Sequence, residues 1–163
     1  QELEYWFQIE TKDGRTLYDS DYGKNYHVPI APRGGAVVRF DDLWGEAVSG
    51  PIQAGKTLRL AYDVDRIKQF LYGTFHHGAP TWSVHAYVAF DGRAPIELPL
   101  LVVKRGEFGH HVDVVPYEAA VKVPEDAGSV RIWFRGSSYG GSVHGGPAWD
   151  SDHGADYNYP VVR

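Results

Sequence analysis

The sequence predicts an all-β protein, and more specifically an antiparallel β-sandwich of the jelly-roll or immunoglobulin-like kind. Three observations lead to this prediction. Apolar and polar residues alternate with a period of two in several segments, as they do in strands that bury one side. Turn sequences rich in Gly, Pro and Asp separate those segments. The 163 residues include 19 Gly and 10 Pro, which destabilise helix interiors, and 5 Trp, 11 Tyr and 7 Phe, which favour strands.

The first predicted strand covers residues 3–10, where an apolar row alternates with a polar row that contains Trp6. The same alternation runs through Trp82–Phe90 and through residues 129–135, where Trp133 lies in the polar row. A further alternating run predicts a strand at residues 117–123, and apolar stretches predict strands at residues 36–40 and 96–104. Turn sequences separate the strands at residues 12–14, 91–92 and 124–126.

Residues 57–71 are ambiguous, because Leu60 and Val64 belong both to an alternating series and to a helically spaced one. We predict a strand over residues 57–64, followed by a turn or short helix over residues 65–71. Residues 136–147 are rich in Gly and Ser and are predicted to form a long loop.

Length, charge and composition limit the class of protein. The length predicts a single β-sandwich domain spanning residues 1–163. The 16 Lys and Arg are scattered among 21 Asp and Glu, so nucleic acid is not an expected partner. No apolar run approaches the ~20 residues of a transmembrane segment. The chain has no Cys, which excludes disulfides. It does not begin with Met, and we expect a secreted protein whose signal peptide was removed ahead of Gln1.

Two stretches match enzyme motifs. Residues 50–57 (GPIQAGKT) satisfy the phosphate-loop pattern, and residues 136–140 (GSSYG) match the nucleophile elbow of serine hydrolases. Both motifs require a helix immediately afterwards. Because no convincing helix is predicted at either place, we interpret the first stretch as the approach to a strand and the second as part of a loop. The adjacent pairs His76-His77 and His110-His111 lack zinc-site spacing.

A repeated motif near the two ends is the strongest feature of the sequence. Residues 18–29 (YDSDYGKNYHVP) and 149–160 (WDSDHGADYNYP) share an aromatic residue, Asp-Ser-Asp, Gly, an Asn or Asp before Tyr, and a Pro three residues later. Tyr5-Trp6-Phe7 precedes the first copy and Ile132-Trp133-Phe134 precedes the second. We therefore predict a repeated terminal hairpin made of a strand, a loop and the motif strand.

Trp6 and Trp133 both lie in the polar row of their strands, which places matching indoles on matching outer faces. An indole stacks on the apolar face of a sugar ring, while acids, amides and guanidinium groups bind its hydroxyls. The alternative is that each indole is covered by a loop or by the other copy. The predicted ligand-binding residues are Trp6, Tyr18, Asn25, Tyr26, Arg131, Trp133, Arg135, Trp149, Asp156 and Tyr157.

Three interpretations of the motif stay open. Asp19, Asp21, Asp150 and Asp152 offer the hard oxygen ligands that Ca²⁺ prefers, although their spacing is not that of an EF-hand. The motif residues can instead contact a glycan directly. They can also serve the fold alone, because Asp and Gly are typical of tight turns.

Over about residues 50–162, the chain resembles an uncharacterised family of secreted bacterial proteins. The resemblance rests on residues 55–66 (GKTLRLAYDVDR), Trp82–Phe90, residues 123–134 (VPEDAGSVRIWF) and the terminal WDSDHG motif. It implies a strand from Thr57 onward and no particular activity. Many members carry cysteines, which this chain lacks.

The terminal motif is also similar to a segment of glycogen- and starch-binding β-sandwich modules. That likeness implies sugar contacts for Trp149, Asp150, Asp152, Asp156 and Tyr157, with acids where those modules carry amides.

Together these features predict a secreted protein that binds a carbohydrate or glycoconjugate without catalysis, with Ca²⁺ as a candidate cofactor. One alternative is protein–protein interaction or assembly into a homo-oligomeric scaffold through exposed aromatic residues and sheet edges. A further alternative is a hydrolase that uses carboxylates and histidines of the loops, such as Asp19, Asp150 and His153.

Overall fold

A computed structural model of the chain describes residues 2–20, 25–29, 35–72, 75–76, 79–105, 111–138, 141–143 and 145–163. Contacts divide the chain into two compact units, Gln1–Arg33 and Gly34–Arg163. That residues 1–163 act as a single domain is still a prediction.

Almost every element is a strand, which confirms the all-β prediction. The strands are β1 (Glu2–Tyr5), β2 (Phe7–Glu10), β3 (Thr16–Asp19), β4 (Tyr26–Pro29), β5 (Gly35–Phe40), β6 (Glu46–Ser49), β7 (Thr57–Tyr62), β8 (Phe75–His76), β9 (Ala79–Pro80), β10 (Trp82–Phe90), β11 (Ile96–Pro99), β12 (Leu101–Arg105), β13 (His111–Pro116), β14 (Ala119–Lys122), β15 (Ser129–Ser138), β16 (Ala148–Asp150) and β17 (Tyr157–Pro160). The described helices are α1 (Asp65–Lys68) and a 3₁₀ turn (Asp152–Gly154). Neither is long enough to cross a membrane.

The N-terminal unit is a ribbon of paired strands. β1 pairs antiparallel with β4, and β2 pairs antiparallel with β3. The pairing shifts at Trp6, because Tyr5 pairs with Tyr26 whereas Phe7 pairs with Asp19. The rings of Tyr5, Phe7 and Tyr26 pack together, with centroids 5.3 to 6.0 Å apart.

The C-terminal unit is a β-sandwich. The first of its two larger sheets has the strand order β11-β10-β15-β16, with β17 also paired to β15, and the second has the order β14-β7-β5-β6. Two further sheets have two strands each, β8 with β9 and β12 with β13. The pairings within these sheets are antiparallel except that of β5 with β7, which is parallel. A parallel pair cannot be joined by a tight turn, and here the connection from β5 to β7 includes β6.

The core lies between the two sheets and consists of the inward-facing residues of the alternating strands. Phe134 of β15 is fully buried, and its ring centroid lies 4.7 Å from that of Phe40 and 4.0 Å from that of Tyr62. Each such side chain contributes about 1.5–3 kcal/mol through burial. Because Phe134 points inward, its neighbours Trp133 and Arg135 point away from the core.

Several predicted strands have different bounds in the structure. The segment predicted over residues 96–104 is interrupted at Leu100, which is buried and donates its N–H to the carbonyl oxygen of Val84 over 3.0 Å. The strand predicted over residues 3–10 is interrupted at Trp6, where the pairing shifts. The turn or short helix predicted after residue 64 is α1.

The loop predicted from residue 136 begins later, because β15 continues to Ser138. Gly136 is a strand residue at a close approach, since a Cβ there would lie 3.0 Å from a methyl group of Leu71. Glycine at this position therefore reflects packing rather than loop flexibility, which corrects the prediction.

The described residues of both enzyme motifs differ from the structures that the motif chemistry requires. Residues 50–57 lead into β7 rather than into a helix, as predicted, and the N–H of Gly55 donates to the carbonyl oxygen of Val123 over 3.0 Å. Ser138 of GSSYG ends β15, and its hydroxyl donates to the carbonyl oxygen of Gly141. Residues 139–140 lie outside the described ranges.

The parallel pairing of β5 with β7 leads to a testable prediction at Gly35, where a Cβ would lie 2.0 Å from the carbonyl oxygen of Thr57. We expect Gly35→Ala to lower the free energy of unfolding by about 1–3 kcal/mol, because the two strands must separate. Urea denaturation measures this loss. Gly128→Ala is the matched control, since its Cβ would meet nothing closer than 3.7 Å, and we expect a change within ~0.5 kcal/mol. Equal effects of the two variants would contradict the pairing.

Candidate functional site

An open cleft of about 560 Å³ lies in the C-terminal unit. It is bounded by the β5–β6 hairpin, by α1 with the residues after it, and by residues 147–157. Ligand sites in proteins are typically about 300–1,000 Å³. Three aromatic side chains of the walls can contact a ligand, those of Trp44, Phe70 and Trp149. Three polar side chains can do so as well, those of Glu46, Asp152 and His153.

The floor of the cleft is a buried ion pair. Arg66 of α1 and Asp150 of β16 are 1% and 3% exposed, and Nε of Arg66 donates to Oδ2 of Asp150 over 2.7 Å. The hydroxyl of Tyr157 accepts from Nη2 of Arg66 over 2.7 Å and donates to Oδ1 of Asp150 over 2.6 Å. The hydroxyl of Tyr62 donates to Oδ2 over 2.9 Å. The carboxylate therefore accepts three hydrogen bonds, which a buried charge needs if it is to be tolerated.

The surroundings of this network fix its protonation. Burial raises the pKa of Tyr157 to about 12, and the hydrogen bond to Asp150 adds to the rise. Burial and the charge of Asp150 also raise the pKa of Tyr62. Burial alone lowers the pKa of Arg66, but Asp150 and Tyr157 outweigh it, so this pKa lies above its ordinary value. At neutral pH both phenols are donors and the guanidinium is charged.

Trp44 has a left-handed backbone with φ of 66°, which is uncommon for a bulky side chain. Oδ1 of Asp41 accepts hydrogen bonds from the N–H groups of Leu43 and Gly45, over 3.0 and 2.7 Å. Nη1 of Arg66 donates to the carbonyl oxygens of Asp41 and Gly45, over 3.0 and 2.9 Å. The guanidinium carbon also lies 4.7 Å from the centroid of the Trp44 ring. The residue that forms the floor therefore also holds an indole on the wall, where it is 48% exposed.

Trp149 is the second indole of the cleft. Its direction follows from core packing, because Asp150 is buried opposite Phe134 and adjacent strand residues point to opposite sides. Trp149 is consequently 53% exposed. The guanidinium carbon of its cross-strand partner Arg135 lies 5.6 Å from the centroid of the Trp149 ring. Like Trp44, this indole is restrained by a guanidinium group.

The turn after β16 brings polar side chains to the cleft. Asp152, His153 and Asp156 all have positive φ, of 46°, 56° and 58°. The turn is closed by the N–H of Asp156, which donates to the carbonyl oxygen of Ser151 over 2.7 Å. Asp152 and His153 line the cleft with exposed side chains.

Two carboxylates of the cleft retain acceptor oxygens. Within the described residues, the side chain of Asp152 has no hydrogen-bond or ion-pair partner. Oε2 of Glu46 accepts a hydrogen bond of 2.6 Å from the hydroxyl of Tyr159, which leaves Oε1 for a ligand. Burial and this contact with Glu46 raise the pKa of Tyr159, so the phenol stays a donor.

Trp133, which is outside the residues that line the cleft, lies on the outer face of the five-stranded sheet. Its ring stacks on that of Tyr87, with centroids 5.6 Å apart and planes 10° apart. The guanidinium carbon of Arg131 lies 5.2 Å from the Trp133 centroid, and its Nε lies 3.4 Å from Oδ2 of Asp156. Trp133 is therefore half-buried and offers less open ring surface than Trp149.

The predicted site residues of the first motif copy lie in the N-terminal unit. Trp6 and Tyr18 are exposed. Nδ2 of Asn25 donates to Oε1 of Glu4 over 2.6 Å.

The two copies share their local geometry. In each copy, the residue before the motif tyrosine has a left-handed backbone conformation. The N–H of this residue donates over 2.7 Å to the carbonyl oxygen of the motif serine. The tyrosine hydroxyl donates to the first aspartate of the motif. These residues are Asp19, Ser20, Asn25 and Tyr26 in the first copy and Asp150, Ser151, Asp156 and Tyr157 in the second. Only the second tyrosine–aspartate pair is joined by the arginine of α1 in the described structure.

The predicted calcium ligands have different surroundings. Asp19 is exposed and bonded to the motif tyrosine, Asp150 is paired with Arg66, and Asp152 lines the cleft. Asp21 lies outside the described residues. Among the residues that the structure describes, no group of three or more His, Cys, Asp or Glu is placed to hold a metal ion. Calcium binding is untested and stays a prediction.

Among the side chains of the cleft that the sequence did not identify as site residues are those of Trp44, Glu46, Arg66 and Phe70. Trp44 carried a signal, because in the segment DDLWG it stands between turn-forming Asp and Gly residues, where an aromatic side chain is readily exposed. No local sequence feature identifies Arg66 as a site residue, since its partner Asp150 is 84 residues further along the chain.

The ion pair leads to a prediction of stability. We expect Asp150→Asn to lower the free energy of unfolding by about 3–5 kcal/mol, because Arg66 is then buried without a counter-charge. Chemical denaturation monitored by circular dichroism measures this loss. Asp152→Asn, two residues away and exposed, is the control, for which we expect a change within ~0.5 kcal/mol. An Asp150→Asn variant as stable as the control would show that the pair does not hold the floor together.

Comparison with known families and proteins places the whole chain in one family. No curated protein and no solved structure gives a significant match. The profile of the "Family of unknown function (DUF6209)" matches residues 1–162, which include both motif copies and extend beyond the region of resemblance predicted from the sequence. The chain therefore belongs to this uncharacterised family.

Proposed function

We propose that this protein binds a carbohydrate or glycoconjugate in the cleft lined by Trp44 and Trp149, without catalysing a reaction. One observation carries the proposal. Two half-exposed indoles and two carboxylates with unused oxygens, those of Glu46 and Asp152, line a single open cleft.

The chemistry of a sugar matches this combination of side chains. A pyranose ring has an apolar face of C–H groups, which packs on an indole, and a rim of hydroxyl groups, which donate to carboxylates. Each indole of the cleft is already restrained by a guanidinium group. Less side-chain freedom is then lost when a ligand binds, which favours affinity.

Binding is favoured over hydrolysis because of the state of Asp150. This carboxylate accepts three hydrogen bonds and is paired with Arg66, so it is poorly placed to take part in proton transfer or nucleophilic attack on a ligand.

The shared hydrogen bonds of the two motifs support the prediction of a repeated hairpin. Secretion stays a prediction from the sequence.

The proposal is tested by titrating a panel of oligosaccharides against three variants. We expect Trp44→Ala and Trp149→Ala each to weaken binding about three- to tenfold, through loss of a stacking surface. Trp133→Ala is the matched control, because this indole is outside the cleft, and its dissociation constant is expected to equal that of the wild type. Calorimetry measures all three. A wild-type protein that binds no oligosaccharide of the panel would refute the proposal, as would a loss of binding confined to Trp133→Ala.

Self-association through the N-terminal ribbon is a second candidate function, favoured by a separate observation. Six large apolar side chains of this ribbon are each more than half exposed: Leu3, Trp6, Phe7, Ile9, Leu17 and Tyr18. A two-stranded ribbon is only marginally stable by itself, and exposed apolar patches mark interaction surfaces.

Light scattering at increasing protein concentration tests this second candidate. We expect the wild-type chain to form a dimer or larger assembly, and the double variant Trp6→Ser/Ile9→Ser to dissociate it. Leu43→Ser, which removes an 85% exposed side chain from the C-terminal unit, should leave the assembly unchanged. A wild-type chain that is monomeric at every concentration would exclude self-association.

A further inference from the structure

We infer that the ligand of the cleft is a protonated amino sugar, in which a pyranose ring carries a primary ammonium group. This inference rests on the proposed carbohydrate-binding function and adds to it the charge of the ligand.

The charge of the cleft is the first argument. Arg66 and Asp150 form an ion pair of 2.7 Å and cancel each other. Glu46 and Asp152 are the other charged residues of the lining, if His153 is counted as neutral. The lining therefore has a formal charge of −2, and Arg135, which lies beside Trp149 but outside the lining, reduces the balance to −1. This negative charge is complementary to a cation and opposed to an acidic sugar.

The hydrogen-bonding character of the two carboxylates is the second argument. Both side chains are exposed, Asp152 has no side-chain partner among the described residues, and Oε1 of Glu46 is unused. Ionised carboxylates only accept hydrogen bonds, and an ammonium group has three donors and no acceptor. A hydroxyl that donates to a carboxylate makes a hydrogen bond in which one group is charged, whereas an ammonium group adds the attraction between two opposite charges. An ammonium therefore gains more here than a hydroxyl does.

The surroundings of the indoles argue for a sugar rather than a simple alkylammonium ion. The guanidinium carbons of Arg66 and Arg135 lie 4.7 and 5.6 Å from the ring centroids of Trp44 and Trp149. Each ring thus already has a cation beside it, so a second cation gains less from these rings than from an indole without one. The indoles therefore suit the uncharged C–H face of a ring, while the ammonium group binds at the carboxylates.

The experiment compares the binding of two oligosaccharides of equal length. One consists of β-1,4-linked glucosamine and the other of its N-acetylated counterpart. Calorimetry measures both affinities at a pH where the free amine is protonated. We expect the glucosamine oligomer to bind about tenfold more tightly, because acetylation removes the charge. We also expect Glu46→Gln/Asp152→Asn to remove this difference, so that both oligomers bind the variant with similar affinity, because the amides that replace the carboxylates carry no charge. Glu118→Gln/Glu125→Gln removes two exposed charges from outside the cleft and should preserve the difference.

The outcomes separate this inference from the function on which it rests. Equal or tighter binding of the acetylated oligomer would overturn the inference and leave the carbohydrate-binding function intact. Binding of ethylamine as tightly as the glucosamine oligomer would overturn the assignment of a sugar. Failure of both oligomers and of every neutral sugar would refute the proposed function itself. Melting temperatures of the two double variants are measured in parallel, and values close to that of the wild type are expected because the replaced side chains are exposed.

Discussion

The buried ion pair between Arg66 and Asp150 is the interaction on which the organisation of the cleft depends. Through four hydrogen bonds, the guanidinium group joins α1 to β16, to β17 and to the turn between β5 and β6. These elements come from distant parts of the chain, and apolar contacts alone would leave their separation loosely defined. A planar group with donors in fixed directions sets both distance and orientation. Its desolvation is offset because nearly every donor and acceptor in the network has a partner.

The ion pair also determines which side chains reach the solvent. It fixes the backbone on both sides of Trp44, so that a left-handed conformation persists and the indole is exposed. It holds Asp150 inward, so that Trp149 must point outward. The polar groups that meet a ligand, Glu46 and Asp152, are different from those that hold the floor. Structural and ligand-binding charges are therefore separated within one small region.

The sequence was informative where the determinants are local. Alternation in Trp82–Phe90 identifies β10, and the Asp and Gly residues of the motif at residues 149–160 indicated a tight turn. Long-range contacts explain what it did not reveal. Gly136 was interpreted as loop because its reason for being glycine, the proximity of Leu71, comes from tertiary packing. Arg66 was not identified as part of the site, and Asp150 was interpreted as a metal or sugar ligand, because nothing near either residue in the sequence indicates the other.

The central claim is that a sugar ligand occupies the cleft beside Trp44 and Trp149. The most direct measurement follows the indole N–H resonances of the 5 Trp by nuclear magnetic resonance while a glucosamine oligosaccharide is added. The account predicts that the signals of Trp44 and Trp149 shift together in a saturable manner, while those of Trp6, Trp133 and the buried Trp82 do not. Shifts confined to Trp6 or Trp133, with Trp44 and Trp149 unchanged at saturation, would contradict it.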